Sequence, residues 1–123
     1  MPAKKANVYD PSCPSRDVLG IIGGKWSMMV ICSLSAGPVR TLSLKRRIGG
    51  ISQKMLTQTL RELERHGLIE RIDDGEVPPR VDYRLTSLGK SLEPVIEAME
   101  RWVTRHYPRM RAAASNFDSE QAA

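Results

Sequence analysis

Five side chains between Gln53 and Arg61 carry the most informative chemistry in this chain. Gln53, Lys54, Thr57, Gln58 and Arg61 recur at helical spacing, and no carboxylate interrupts them. On one helix they would share a face of hydrogen-bond donors and positive charge. An α-helix fits the major groove of duplex DNA. Amide, hydroxyl, ammonium and guanidinium groups are the types that bond base edges and phosphates there. The same pattern also describes an ordinary solvated helix face.

The wider charge distribution favours the first reading. Between Asp17 and Glu62 the chain has no Asp or Glu, while it carries Lys25, Arg40, Lys45, Arg46, Arg47, Lys54 and Arg61. A surface serving only solubility mixes both signs. Excluding acids over such an interval suits a surface that approaches phosphates. The formal net charge of +5 agrees with a polyanionic partner.

A second candidate is Cys13. It stands before Pro14 at the start of an apolar segment, where a helix dipole favours thiolate. Arg16, one turn on, would add to that effect. The competing reading is a small buried side chain. Cys32 falls inside an apolar run and reads as inert core. Two cysteines in a chain expected in the cytoplasm do not suggest a structural disulfide. His66 and His106 are isolated from any metal-ligand spacing, and no glycine-rich phosphate loop or nucleophile motif is present. No catalytic residue, metal or cofactor is expected, and the chain does not read as an enzyme.

These side chains need a scaffold. The chain has 123 residues, 41% hydrophobic and 27% charged, which suits one globular domain, and the elements read along it make that domain α+β, mostly helical. No apolar run is long enough to cross a membrane, and the N-terminus lacks a signal-peptide core. Residues 1–12 read as a flexible arm. A first helix opens at Cys13-Pro14 and ends at Gly23-Gly24, with Val18, Leu19, Ile21 and Ile22 on its apolar face. A second, from Lys25 to Ser35, is apolar nearly all round and is expected to be central. Trp26, Met28 and Met29 on it read as core, or as the lining of a small-molecule pocket. Val39-Arg40 suits a very short strand.

A third helix, Leu42 to Ile48, turns Leu44 and Ile48 inward and Lys45, Arg46 and Arg47 largely outward. Gly49-Gly50 then turns the chain into a helix from Ser52 to His66. There Ser52 is the N-cap, Leu56, Leu60 and Leu63 form the buried stripe with Met55 beside them, and Gly67 is the stop. Two helices so joined make a helix-turn-helix. Residues 68–73 and 81–85 read as a hairpin around Asp74-Gly75 and the stiff Pro78-Pro79 loop, a "wing" of two or three strands with Arg80 near its tip. A long helix from Ser87 to Tyr107 is expected to end at Pro108, with Pro94 inside it. Its stripe of Leu88, Leu92, Val95, Ile96, Met99, Trp102 and Val103 exceeds what a small core needs, so its outer part reads as a dimer surface. Residues 109–123 read as a tail.

With the elements in order, the segments CPSRDVLGIIGGKW (13–26), AGPVR (36–40), GISQKMLTQTLRELERHGLIER (50–71) and VPPRVDYRLTSLGKSL (77–92) can be compared with known families. The chain resembles the HxlR-type winged helix-turn-helix transcriptional regulators of bacteria. The resemblance runs from Cys13 to Trp102 and implies a homodimeric DNA-binding regulator. It also implies that Cys13 is a thiol switch for electrophiles, quinones or oxidants. One departure stands out. The family usually places an aromatic residue before Ser-Glu-Leu at the third helix, where this chain has Thr41-Leu42-Ser43-Leu44. That puts the packing of the helix in doubt and moves the expected cap to Thr41.

The combined expectation is a homodimeric repressor on a palindromic operator of double-stranded DNA. Its contacts are Arg40, Lys45, Arg46, Arg47, Ser52, Gln53, Lys54, Thr57, Gln58, Arg61 and Arg80. Its dimer interface is Val18, Leu19, Ile22, Leu92, Ile96, Met99, Trp102 and Val103, and Cys13 is the redox-sensing residue. A regulator controlled by a non-covalent small-molecule effector, or a winged helix that binds protein, remains the alternative.

Overall fold

The computed structural model describes residues 5–78 and 80–122. Residues 1–4 of the expected arm, Pro79 of the wing loop and Ala123 of the expected tail lie outside the described residues. The elements run α1 (Ser15–Ile22), α2 (Lys25–Ser33), β1 (Val39–Arg40), α3 (Thr41–Arg47), α4 (Gln53–Arg65), β2 (Ile69–Asp73), β3 (Val81–Leu85) and α5 (Ser87–Ala122). The expected winged helix-turn-helix is present. The chain divides into two compact units, Met1–Glu93 and Pro94–Ala123, with the division inside α5.

The core of the first unit follows from hydrophobic spacing. Val30, Ile31 and Leu34 from α2 and its end, Leu44 and Ile48 around α3, and Leu56, Leu60 and Leu63 of α4 are buried. Removing one such leucine side chain costs roughly 2–5 kcal/mol. Val39, Leu68, Ile69, Tyr83 and Leu85 add to the buried set from the sheet side, and Ile51 from the turn before α4. α2 is less central than its composition implied: Met29 is 44% exposed, and Trp26 and Met28 are only half-buried. α1 buries none of its residues.

The sheet is antiparallel in the order β1-β3-β2. Val39 pairs with Tyr83 and Arg40 with Asp82, while Ile69 to Asp73 pair with Leu85 to Val81. The two-residue strand before α3 therefore makes the wing three-stranded.

Helix ends obey local rules in the recognition segment. Ser52 Oγ accepts from the Met55 N–H at 3.0 Å. At the other end Gly67 takes φ 75°, its N–H donates to Glu64 O at 3.0 Å, and Leu68 N–H donates to Leu63 O at 3.0 Å. That pair of bonds is a Schellman closure, which favours glycine at the left-handed position. α3 starts one residue earlier than expected. Arg40 is its N-cap with no side-chain cap bond, so the cap does not move to Thr41.

α5 corrects a larger expectation. The helix does not end at Pro108 but continues to Ala122, with Pro94 and Pro108 both inside it. A proline forfeits one backbone bond, yet its fixed φ is itself helical. The run Ala112-Ala113-Ala114 beyond it has the best intrinsic helix propensity. Thr86 caps the start: its Oγ1 accepts from the Gly89 N–H at 3.1 Å. In the second unit Val95, Met99, Trp102, Val103, Tyr107, Met110 and Phe117 are exposed.

Candidate nucleic-acid interface

α4 sorts its residues as its periodicity requires. Leu56, Thr59, Leu60 and Leu63 face inward, whereas Ser52, Gln53, Lys54, Thr57, Gln58 and Arg61 are all exposed. Gln53 Nε2 donates to Thr57 Oγ1 at 3.3 Å, one turn along the outer face. That bond pre-orients two candidate base-reading groups. Met55, expected beside the buried stripe, is 37% exposed. Thr59 takes the inward position instead, because its hydroxyl donates to Met55 O at 2.8 Å and needs no outside partner. Ser52 spends its oxygen on the cap, and its hydroxyl hydrogen can still donate to a phosphate.

The three basic residues of α3 are exposed but not equivalent. Arg47 Nη1 donates to Ser33 O at 3.0 Å, which ties α3 to the last residue of α2. This satisfies an orphan carbonyl at a helix C-terminus, where a cation is favoured. Lys45, Arg46, Lys54 and Arg61 have no ion-pair partner among the described residues. Acids return only at the far end of α4, where Glu62 lies 3.8 Å from Arg65 and 3.9 Å from His66. His66 Nδ1 also sits 2.8 Å from Glu62 O. A carbonyl only accepts, so Nδ1 carries the hydrogen in this contact.

The wing turn is built by its own carboxylates. Asp73 Oδ1 accepts from the Gly75 N–H at 3.0 Å, and Gly75 takes φ 71°. Asp74 Oδ1 accepts from the N–H groups of Glu76 and Arg80 at 3.1 and 3.3 Å. The turn leaves Arg80 exposed, with Nε 3.4 Å from Asp82 Oδ1. Arg40, Thr41, Leu42, Pro78, Arg80 and Val81 line one shallow depression. Arg40 and Arg80, far apart in sequence, thus share one patch. Leu42 is 67% exposed in it, and Leu44 fills the core. The sequence reading missed Asp82. Its one available signal was the alternation of β3, which puts Asp82 on the same outward face as Arg80.

Cys13 is partly exposed and free of disulfide. Its Sγ lies 3.5 Å from the Asn7 N–H and 3.1 Å from Ser15 Oγ. The Asn7 backbone donor, then the Ser15 hydroxyl and the Ser15 N–H, hold the thiol below its ordinary pKa, against burial and the nearby charge of Asp10. Arg16, expected to help, is not among these groups. Asp10 is fixed as an anion by Ser12, whose N–H and hydroxyl donate to Oδ1 at 2.9 and 2.7 Å.

The residues assigned to a dimer surface differ in exposure. On α1, Leu19 is 55% exposed, and Val18 and Ile22 are half-buried. On α5, Leu92 is half-buried and Ile96 is buried, whereas Met99, Trp102 and Val103 are exposed. The Trp102 ring stacks on His106 with centroids 4.6 Å apart. No helix among the described residues is long and apolar enough to cross a membrane.

The comparisons agree with this geometry. Residues 21–111 match the family described as HxlR-like helix-turn-helix. The HTH-type transcriptional regulator YtcD of Bacillus subtilis is 47% identical over 92 residues, 75% of this chain and 73% of YtcD. The solved structure of ytfH from Salmonella typhimurium superposes with TM-score 0.85 at 34% identity, over 90% of this chain and 99% of that chain. The redox regulator HypR in its oxidized form superposes with TM-score 0.69 at 39% identity, over 76% of this chain and 96% of that chain. The chain belongs to the HxlR-like helix-turn-helix family of transcriptional regulators.

Proposed function

We propose that the protein is a homodimeric repressor that acts in the cytoplasm on a palindromic operator, with oxidation or alkylation of Cys13 as its release signal. The observation that carries the DNA-binding part is the exposed, acid-free face of α3 and α4, whose Lys45, Arg46, Lys54 and Arg61 lack internal ion-pair partners among the described residues. Two copies of α4 would enter successive major grooves roughly 34–36 Å apart. Gln53, Lys54, Thr57 and Gln58 would meet base edges, and Arg61 a base or phosphate. Ser52, Arg40, Lys45 and Arg46 would fix register on phosphates, and Arg80 would reach the flanking minor groove. The uncovered apolar side chains Leu19 on α1 and Met99, Trp102 and Val103 on α5 support self-association. The thiolate-favouring donors around Cys13 support its reactivity, and the redox regulator HypR supplies a sensing precedent.

Selecting bound duplexes from genomic fragments, with and without diamide, tests the reading. The expected result is a palindromic consensus whose binding diamide abolishes for the wild type but not for Cys13→Ser. Sedimentation should give a two-chain species that Met99→Asp with Trp102→Asp converts to single chains. Failure to enrich any duplex would remove the DNA assignment. An equal diamide response in Cys13→Ser would remove the switch.

A further inference from the structure

The outward face of the wing carries a carboxylate where phosphates are expected to approach. Tyr83 and Leu85 are buried, so Asp82 and Arg84 point away from the core. Arg84 has its own partner, Glu70 on β2. Asp82 lies between Arg40 of β1 and Ile72 of β2 in the ladder. Its side chain is 20% exposed, while its partner Arg80 is 51% exposed and 3.4 Å away. A half-screened acid beside the patch of Arg40 and Arg80 lowers general affinity for polyanions. Its position needs another account.

We propose that Asp82 is a positioning residue that makes Arg80 a reader of minor-groove shape. The proposal rests on the DNA-binding reading above. A long guanidinium side chain on a loop otherwise settles on any phosphate within reach. Held through Nε by Asp82, Arg80 keeps its two Nη groups directed outward in one place, as a planar fork can. A fixed guanidinium is attracted to the narrow, electronegative minor groove of A·T-rich steps. The carboxylate also repels phosphates when the protein sits out of register, so it disfavours wrong sites as well as supporting the right one.

The probe is the consensus duplex selected by the wild-type protein, synthesised with A·T or with G·C flanks. Fluorescence anisotropy should show the wild type preferring A·T flanks by about fivefold, the lower range for one altered base pair. Asp82→Asn keeps the side-chain shape and should reduce the preference below about twofold while strengthening binding to a scrambled duplex, as loss of a negative charge requires. Asp82→Glu should retain the preference. In an Arg80→Ala background, Asp82→Asn should change the preference no further. Equal preference in Asp82→Asn and wild type, or an undiminished effect of Asp82→Asn without Arg80, overturns the assignment. A wild type that binds but ignores the flanks also overturns it and leaves the DNA-binding reading standing. If no duplex is selected, both fall.

Discussion

Arg46→Ala and Arg47→Ala remove the same charge from neighbouring positions, and the structure sets them apart. Arg46 is exposed and has no ion-pair partner among the described residues. Arg47 is bonded to Ser33 O at 3.0 Å. Each phosphate neutralised contributes about 0.9 to the slope of log affinity against log salt. A dimer loses two contacts per substitution, so Arg46→Ala should make the slope shallower by about 1.8. If the electrostatic part vanishes near 1 M salt, that is a loss of about thirtyfold at 0.15 M. Arg47→Ala should shift the slope by less than half as much. Its cost should appear in folding instead, at about 0.5–1 kcal/mol for a lost hydrogen bond at an exposed helix end. The assay is anisotropy titration of the selected duplex at four salt concentrations, alongside urea denaturation of each variant. Equal slope changes for the two variants, or none for Arg46→Ala, would refute the separation of phosphate contact from scaffold.

Two further outcomes follow from close contacts. Gly89→Ala should unfold or severely destabilise the protein, because a Cβ there would lie 2.0 Å from Leu68 O and 3.1 Å from Leu68 C. Both obstacles are backbone, so the cost should reach the upper range for overpacking, about 3 kcal/mol, seen as a drop of roughly 10 °C in melting temperature. Cys13 should alkylate with a pH midpoint below that of the same residue in urea, measured with iodoacetamide in a Cys32→Ser background. Ser15→Ala removes a donor to the sulfur and should move the midpoint upward. The linked stabilisation has the sign of a depressed acid. It is full above the unfolded thiol value and is lost as pH falls through the folded one. A midpoint unchanged by folding would contradict the hydrogen-bond account.

What the sequence determined is what lies within about one helical turn or one hairpin. Ser52, the leucines of α4 and Gly67 specify a capped amphipathic helix because each acts on groups three to five residues away. The alternation of Val81, Tyr83 and Leu85 set the register of β3 for the same reason. The basic positions of α3 and α4 were legible as a surface because burying an unpaired charge is costly.

What only the tertiary structure decided are the partnerships between distant segments. Arg47 was indistinguishable from Arg46 until α2 placed Ser33 beside it. Arg40 met Arg80 only because β1 pairs with β3. Asn7 and Ser15, not Arg16, surround Cys13, since a turn before α1 brings the Asn7 N–H back to the sulfur. One local reading failed on local grounds: Pro108 was read as a stop because its missing bond was counted and its helical φ was not, and the helix passes through it to Ala122. Periodicity fixes which face a side chain takes, because backbone geometry repeats. It does not fix what that face meets, because that partner is chosen by the folded chain as a whole.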